Sequence, residues 1–314
     1  ISLSNVTIPS SEENIGSNAF EDCTSLTSIA IPEGVMRIDN SVFKGCTNLN
    51  NVTIPNSLKD LTGSIFSDCK SLAITVSGGE TNFASVAFKD CTNLVSLTIL
   101  GGKTSIENRA FENCTGLTNV KLSGDVTNIG GEAFHGCTSL VSITIPEGIT
   151  RIGSNAFNGC TSLASITIPK GITSIETNTF NGCTSLTSIS IPEGVTNIES
   201  RAFYGCTSLT SVTIPDGVTN IENQAFSDCE NLTSITIPKS VEYIGNNAFI
   251  GCTSLTKVKI LTMDATLKSG AFKMLAINSK IYVLNDTMKT RVEAEISKPN
   301  TTVEVVTEEQ MKSL

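Results

Sequence analysis

Apolar and polar positions along this chain repeat in step with eleven cysteines: Cys23, Cys46, Cys69, Cys91, Cys114, Cys137, Cys160, Cys183, Cys206, Cys229 and Cys252. Each gap is 23 residues except Cys69 to Cys91, which is 22. Counting from each cysteine, Leu recurs at +3, Ile or Val at +6 and +8, and Pro often at +9. Val or Ile tends to follow at +12, then Ile at +15, Ala at +19 and Phe at +20. A period of this size predicts a solenoid, because a single coil cannot bury its apolar face without a neighbour.

Within one coil the I-x-I pair alternates with polar residues, the pattern of a half-buried strand. Pro at +9 has no N–H and ends that strand. Pro146-Glu147-Gly148 and Pro192-Glu193-Gly194 then read as turns, followed by a second short extended piece such as V-T-N-I. The last part of the coil predicts a brief helical turn. Six residues before the cysteine stand N-cap types such as Ser17, Asn40, Gly63, Ser85 and Asn223. One residue before it stands only Gly, Asn or Asp, which tolerate a left-handed backbone. Strands of successive coils are expected to pair in parallel, with ladders of Phe, Leu and Ile forming the core.

Two places depart from the period. The coil after Cys69 is one residue short before its strand pair, and Gly78, Leu100 and Ser123 replace Pro in three successive coils. Residues 70–125 are therefore expected to be the irregular stretch, with a local distortion or a broken ladder. The array ends after Phe272. Ile281-Tyr282-Val283 predicts one more strand, Asp286 to Ile296 a helix and Val303 to Val306 a last strand. This assigns residues 1–275 to about twelve coils, 276–306 to a C-terminal cap and 307–314 to a polar tail that frays. Ile1 to Pro9 already matches the middle of a repeat, so we expect the natural chain to continue upstream and to have lost any signal peptide.

Composition narrows the function classes. The chain has 314 residues, 16% charged, with a net charge of −9, which argues against a nucleic-acid partner. No apolar run approaches the roughly 20 residues of a membrane span.

The coil L-x-x-I-x-I-P-x-x-V-x-x-I-x-x-x-A-F-x-x-C resembles the BspA-like, or Treponema-type, leucine-rich repeat. The likeness is plain in Leu163 to Pro169 and in Ala202-Phe203-Tyr204-Gly205-Cys206, and it covers about residues 1–275. The resemblance implies an α/β solenoid: a right-handed, curved array with a parallel sheet on one face and short helical turns opposite. It also implies surface display on host-associated bacteria or protists, with several relatives thought to be adhesins for host proteins.

Candidate chemistry is sparse. His135 is the single histidine, in a slot filled elsewhere by Glu21, Lys44, Ser67, Asn158 and Tyr204, which reads as a solvated position. The cysteines lack C-x-x-C spacing and a companion histidine, so no metal array is expected. Stacked cysteines would also present parallel Cβ directions, a poor disulfide geometry. They are expected to be free, buried thiols. The candidate binding face is the outward side of the sheet, at +5 and +7: Ser142, Thr144, Ser165, Thr167, Ser188, Ser190, Ser211, Thr213, Ser234, Thr236, Lys257 and Lys259. It is small, polar and poor in the aromatic and Arg residues of binding hot spots. These features point to a monomeric, non-enzymatic binding protein, at the cell surface or secreted, without cofactor or metal. Its expected partner is a host protein or glycan. The alternative is a passive spacer that holds another domain away from a surface.

Overall fold

The computed structural model describes residues 3–55, 57–58, 60–61, 65–66, 68–76, 82–83, 88–101, 105–123, 125–296 and 301–314. The chain divides into two compact units, Ile1–Thr161 and Ser162–Leu314. Each is a parallel-sheet β-solenoid.

In the first unit, strands Ser28–Ala30, Asn51–Ile54, Leu72–Val76, Leu94–Ile99, Asn119–Leu122 and Ser142–Thr144 form one six-stranded sheet. Two-residue strands, from Asn14–Ile15 to Arg151–Ile152, form a seven-stranded second sheet on another side of the coils. The second unit repeats the plan. Ser174–Ile175 to Thr266–Leu267 make a five-stranded sheet, Ser188–Ser190 pairs with Ser211–Thr213, and Ser234–Ile237 opens a four-stranded sheet that continues through Lys257–Ile260, Lys280–Val283 and Thr302–Val305. All pairings are parallel, and a residue typically faces the one a repeat later, as Ile198 faces Ile221.

The core follows the sequence columns. Leu209, Val218, Ile221, Ala225 and Phe226 are fully buried. The phenylalanines stack along each unit with ring centroids from 5.1 Å, between Phe203 and Phe226, to 5.9 Å, between Phe66 and Phe88. Burying each such ring contributes about 1.5–3 kcal/mol before chain entropy is counted.

Among the described residues the expected helical turn is absent. In its place stands a run of tight turns with two left-handed residues. One precedes the cysteine, as expected: Asp22 (φ 57°), Gly136 (φ 71°) and Gly205 (φ 68°). The other lies five residues before it, at Asn18 (φ 59°), Arg109 (φ 60°), Glu132 (φ 57°) and Arg201 (φ 55°). Each left-handed residue occupies the third position of a four-residue turn, closed for example by Ala19 N–H to Gly16 C=O at 3.2 Å and Cys23 N–H to Phe20 C=O at 3.3 Å. Alternate N–H groups are thereby freed to donate to the following coil: Phe20 to Val42 (2.9 Å), Asp22 to Lys44 (2.8 Å), Phe203 to Ala225 (2.8 Å) and Gly205 to Ser227 (2.9 Å). A helix would point these groups along its own axis. Here three backbone ladders, two of strands and one of turns, tie successive coils. The residues read as N-caps also act between coils, as Asn108 Oδ1 accepts from Gly131 N–H (2.7 Å) and Asn223 Oδ1 from Asn246 N–H (2.8 Å). The expectations at Gly63, Gly78 and Ser85 lie outside the described residues.

The missing residue after Cys69 leaves a definite trace. Leu72 pairs with Leu94, but the neighbouring Ala73 pairs with Ser96, so the register shifts between them. The ladder itself stays continuous on both sides of this point, so the distortion is a bulge and not a break.

The end of the chain holds strand Lys280–Val283, helix α1 (Asp286–Glu293) and strand Thr302–Val305. Asn285 caps α1 by accepting from Met288 N–H, and Met288 and Val292 are fully buried. Where a fraying tail is expected, residues Glu308–Ser313 form helix α2. Thr307 and Gln310 exchange side-chain and backbone bonds in a capping box, and Met311 is buried.

Candidate binding face

The period-two pattern puts the predicted residues where expected relative to the core. Ser142 and Thr144 are exposed on either side of buried Ile143. In the second unit, Ser188 and Ser190 flank Ile189, and Ser211 and Thr213 flank Val212, with Ser188 beside Ser211 and Ser190 beside Thr213. Ser234 and Thr236 are likewise exposed around Ile235. Ser165 and Thr167 are exposed too, but only Ser165 makes a lone bridge there.

Threonines one position before Ser188, Ser211, Ser234 and Lys257 border this face. Thr210, Thr233 and Thr256 donate their hydroxyls to the backbone carbonyls of Thr187 (3.1 Å), Thr210 (3.4 Å) and Thr233 (3.3 Å). Their donors are therefore occupied, and the side chains are held by the scaffold. The face is uncharged over four coils and lined by small polar groups.

Lys257 and Lys259 do not belong to this open surface. Both are half-buried. Lys257 Nζ donates to the Leu314 carbonyl (2.7 Å) and Lys259 Nζ to the Met311 carbonyl (3.2 Å). A third lysine, Lys239, pairs with Glu308 at 2.6 Å. This contact holds the Glu308 carboxyl below its ordinary range. Helix α2 therefore lies over this end of the face, a contact hidden from sequence reasoning because a short polar segment reads as a tail. The T-x-x-Q spacing of Thr307 and Gln310 was the available signal.

His135 sits in a charged group in the first unit. Donor atoms of Glu112, Glu132 and His135 lie within 4.8 Å of one another, and these three could hold a cation. Both carboxylates already face cations. Arg109 grips Glu132 with two bonds (2.9 and 3.0 Å), and Lys89 Nζ stands 3.0 Å from Glu112. The Arg109 bonds push the Glu132 carboxyl below its usual value and raise the guanidinium. The group is an ion-pair network between coils.

All eleven cysteines are free thiols; ten are buried and Cys91 is half-buried. Most of their S–H groups point to the carbonyl of a phenylalanine one coil back, as Cys137 to Phe111 (3.1 Å) and Cys229 to Phe203 (3.2 Å). Cys91 instead meets Asn93 Oδ1 at 3.3 Å. Burial pushes Cys69, Cys91, Cys206 and Cys252 up to about 12 and raises Cys46, Cys160 and Cys229 as well. Such thiols are inert at neutral pH.

Comparison with known proteins agrees with this architecture. A crystal structure of a leucine-rich repeat protein from Bacteroides ovatus ATCC 8483 is similar, with 25% identity, a TM-score of 0.57, and coverage of 93% of this chain and 87% of that one. The Treponema pallidum leucine-rich repeat protein shares 29% identity over 66% of this chain and 83% of its own, with a TM-score of 0.48. A leucine-rich cell surface protein from Faecalibacterium prausnitzii A2-165 shares 25% identity over 79% and 76%, with a TM-score of 0.36. A search of curated proteins finds no match. The model of the BspA type leucine-rich repeat region matches residues 1–118, 81–187 and 173–291. With its coils, columns and sheets accounted for by that repeat, the chain belongs to the BspA-type leucine-rich repeat family.

Proposed function

We propose that the protein is a non-enzymatic binding protein, displayed at a cell surface or secreted as a monomer, that offers its Ser/Thr sheet face to an extracellular host protein or glycan. The observation that carries this reading is the regular exposure of Ser188, Ser190, Ser211, Thr213, Ser234 and Thr236 on paired parallel strands. Repeat folds present extended surfaces of this kind to partners, and membership of the BspA-type family favours display at a surface. Among the described residues no helix is long and apolar enough to cross a membrane. The test is an array of immobilised matrix proteins and glycans probed with the whole chain. A ligand is expected whose binding falls at least about tenfold in a Ser211→Glu/Thr213→Glu variant of unchanged melting temperature, a loss of roughly 1.4 kcal/mol. Binding that ignores this pair, or no binding at all, overturns the reading.

A further inference from the structure

Helix α2 borders an open cavity of about 230 Å³ on the sheet of the second unit. It is lined by Leu261, Leu284 and Met311 together with Thr236, Lys239, Lys259, Lys312 and Glu308. Three ammonium groups thus surround one carboxylate, an excess of positive charge in a chain whose net charge is −9. Lys239 and Lys259 are fixed in place by their bonds to α2. Lys312 lies in the last turn of that helix.

We propose that this cavity binds a small amphiphilic anion, a short-chain carboxylate whose hydrocarbon tail enters between Leu261, Leu284 and Met311 and whose head meets the lysines. The chemistry of the walls selects this class. A polyol would leave its hydroxyls facing apolar walls, at the cost of unmade hydrogen bonds. A neutral hydrocarbon would leave the net positive charge of the lining unmet. The volume is below the roughly 300–1,000 Å³ of sites for drug-sized ligands, so the tail is short. The site shares only Thr236 with the Ser/Thr face, and it stands whether or not that face binds a partner.

The experiment is a titration of the whole chain with hexanoate, butanoate and hexanol, followed by amide and methyl NMR. Hexanoate is expected to shift Leu261, Leu284 and Met311 in a saturable way. Butanoate should bind about fifteenfold more weakly, since two methylenes at roughly 0.8 kcal/mol each stay in water. Hexanol should bind at least about fivefold more weakly than hexanoate, for want of a charge facing the lysines. Lys312→Glu, a surface change, should remove that preference and leave hexanol binding as it was. A Leu261→Trp variant that keeps its melting temperature should lose both ligands. Equal binding of hexanol and hexanoate, a preference that survives Lys312→Glu, or shifts that fail to saturate or fall elsewhere would each overturn the proposal.

Discussion

Strand Leu94–Ile99 runs for six residues and strand Ser188–Ser190 for three, although both are built on the same repeat. Two of the three extra residues, Leu94 and Val95, stand at the start of the strand, where Leu94 pairs with Leu72 beside the register shift. The third, Ile99, stands at the end, and there the difference lies in the residue nine places after the cysteine of the partner coil. Where that residue has an N–H, it bonds to the last strand carbonyl of the preceding coil: Leu100 to Val76 (3.0 Å), Ser123 to Ile99 (3.1 Å) and Leu261 to Ile237 (2.8 Å). Where it is Pro55, Pro146 or Pro215, no such bond can form. Pairing into these proline coils stops after Ala30, Lys121 and Ser190, but continues through Ile54, Leu122 and Ile237 into or out of the others. Proline therefore ends the ladder one residue earlier by removing one donor. It contributes a fixed φ to the turn in exchange. Leu100 gains the bond and is left 55% exposed.

The largest test asks whether the two stretches share one core despite their different edges. Thiols at Cys69, Cys91, Cys206 and Cys252 titrate near 12 in the folded chain, above the ordinary value. Stability from them is complete below the unfolded value of about 8.5 and is lost as pH rises toward the folded value, because the unfolded chain releases protons that the folded chain retains. Four such thiols withdraw on the order of 5 kcal/mol per pH unit. Cooperative unfolding is expected between about pH 9 and pH 11, read by circular dichroism. If hydrogen exchange shows residues 72–122 opening first, the contrast reaches the core; joint opening confines it to strand ends.

Next comes the phenylalanine column. Phe203→Ala is expected to cost about 3–5 kcal/mol, and Phe66→Ala, beside the widest ring spacing, to fall toward the lower limit. Denaturant unfolding of both variants measures this, and equal losses would show that the shortened coil packs as tightly as the others.

A smaller effect is expected from inserting one Thr between Leu72 and Ala73. It restores the 23-residue period and should remove the register shift. A gain of about 1 kcal/mol is expected, with stronger amide protection across 72–76. Loss of stability would mean that the bulge is matched to its surroundings.

The smallest is the proline exchange. Pro215→Leu adds a donor for the Ile191 carbonyl, worth about 0.5–1.5 kcal/mol, and gives up about 0.4–1 kcal/mol of chain restriction. Melting temperature should barely move, while residue 215 gains a protected amide. Leu261→Pro should do the reverse at Ile237. An unprotected amide at 215 would refute the donor rule.

The two strand ladders and the core columns were legible because burial selects residue type, and type repeats with the period. The left-handed residue before each cysteine was legible for the same reason, since only Gly, Asn and Asp stand there. Its companion five places earlier was not. Arg109, Glu132, Arg201 and Gln224 do not favour that backbone. Bonds to the next coil impose it, and such bonds leave no mark on composition. The Ser/Thr face was read correctly as exposed, but its lysine end was misjudged. The contact that covers Lys257 and Lys259 comes from more than 50 residues downstream, beyond any local pattern.

The ladder of turns has an electrical consequence. Parallel strands send hydrogen bonds both ways between neighbours, so their peptide dipoles largely cancel. In the turn segment the N–H groups of Phe111, Phe134, Phe203, Phe226 and Phe249 all point to the later coil. Their dipoles add along the stack, as in a helix, though no helix is present. The later end of such a column is its positive pole, where N–H groups run out of coils to meet. There, in the second unit, Gly270 N–H finds the Glu295 carboxylate. An acidic side chain from beyond the repeats thus neutralises the pole that the repeats create. Each coil added to a column of this kind lengthens the polar axis of its unit.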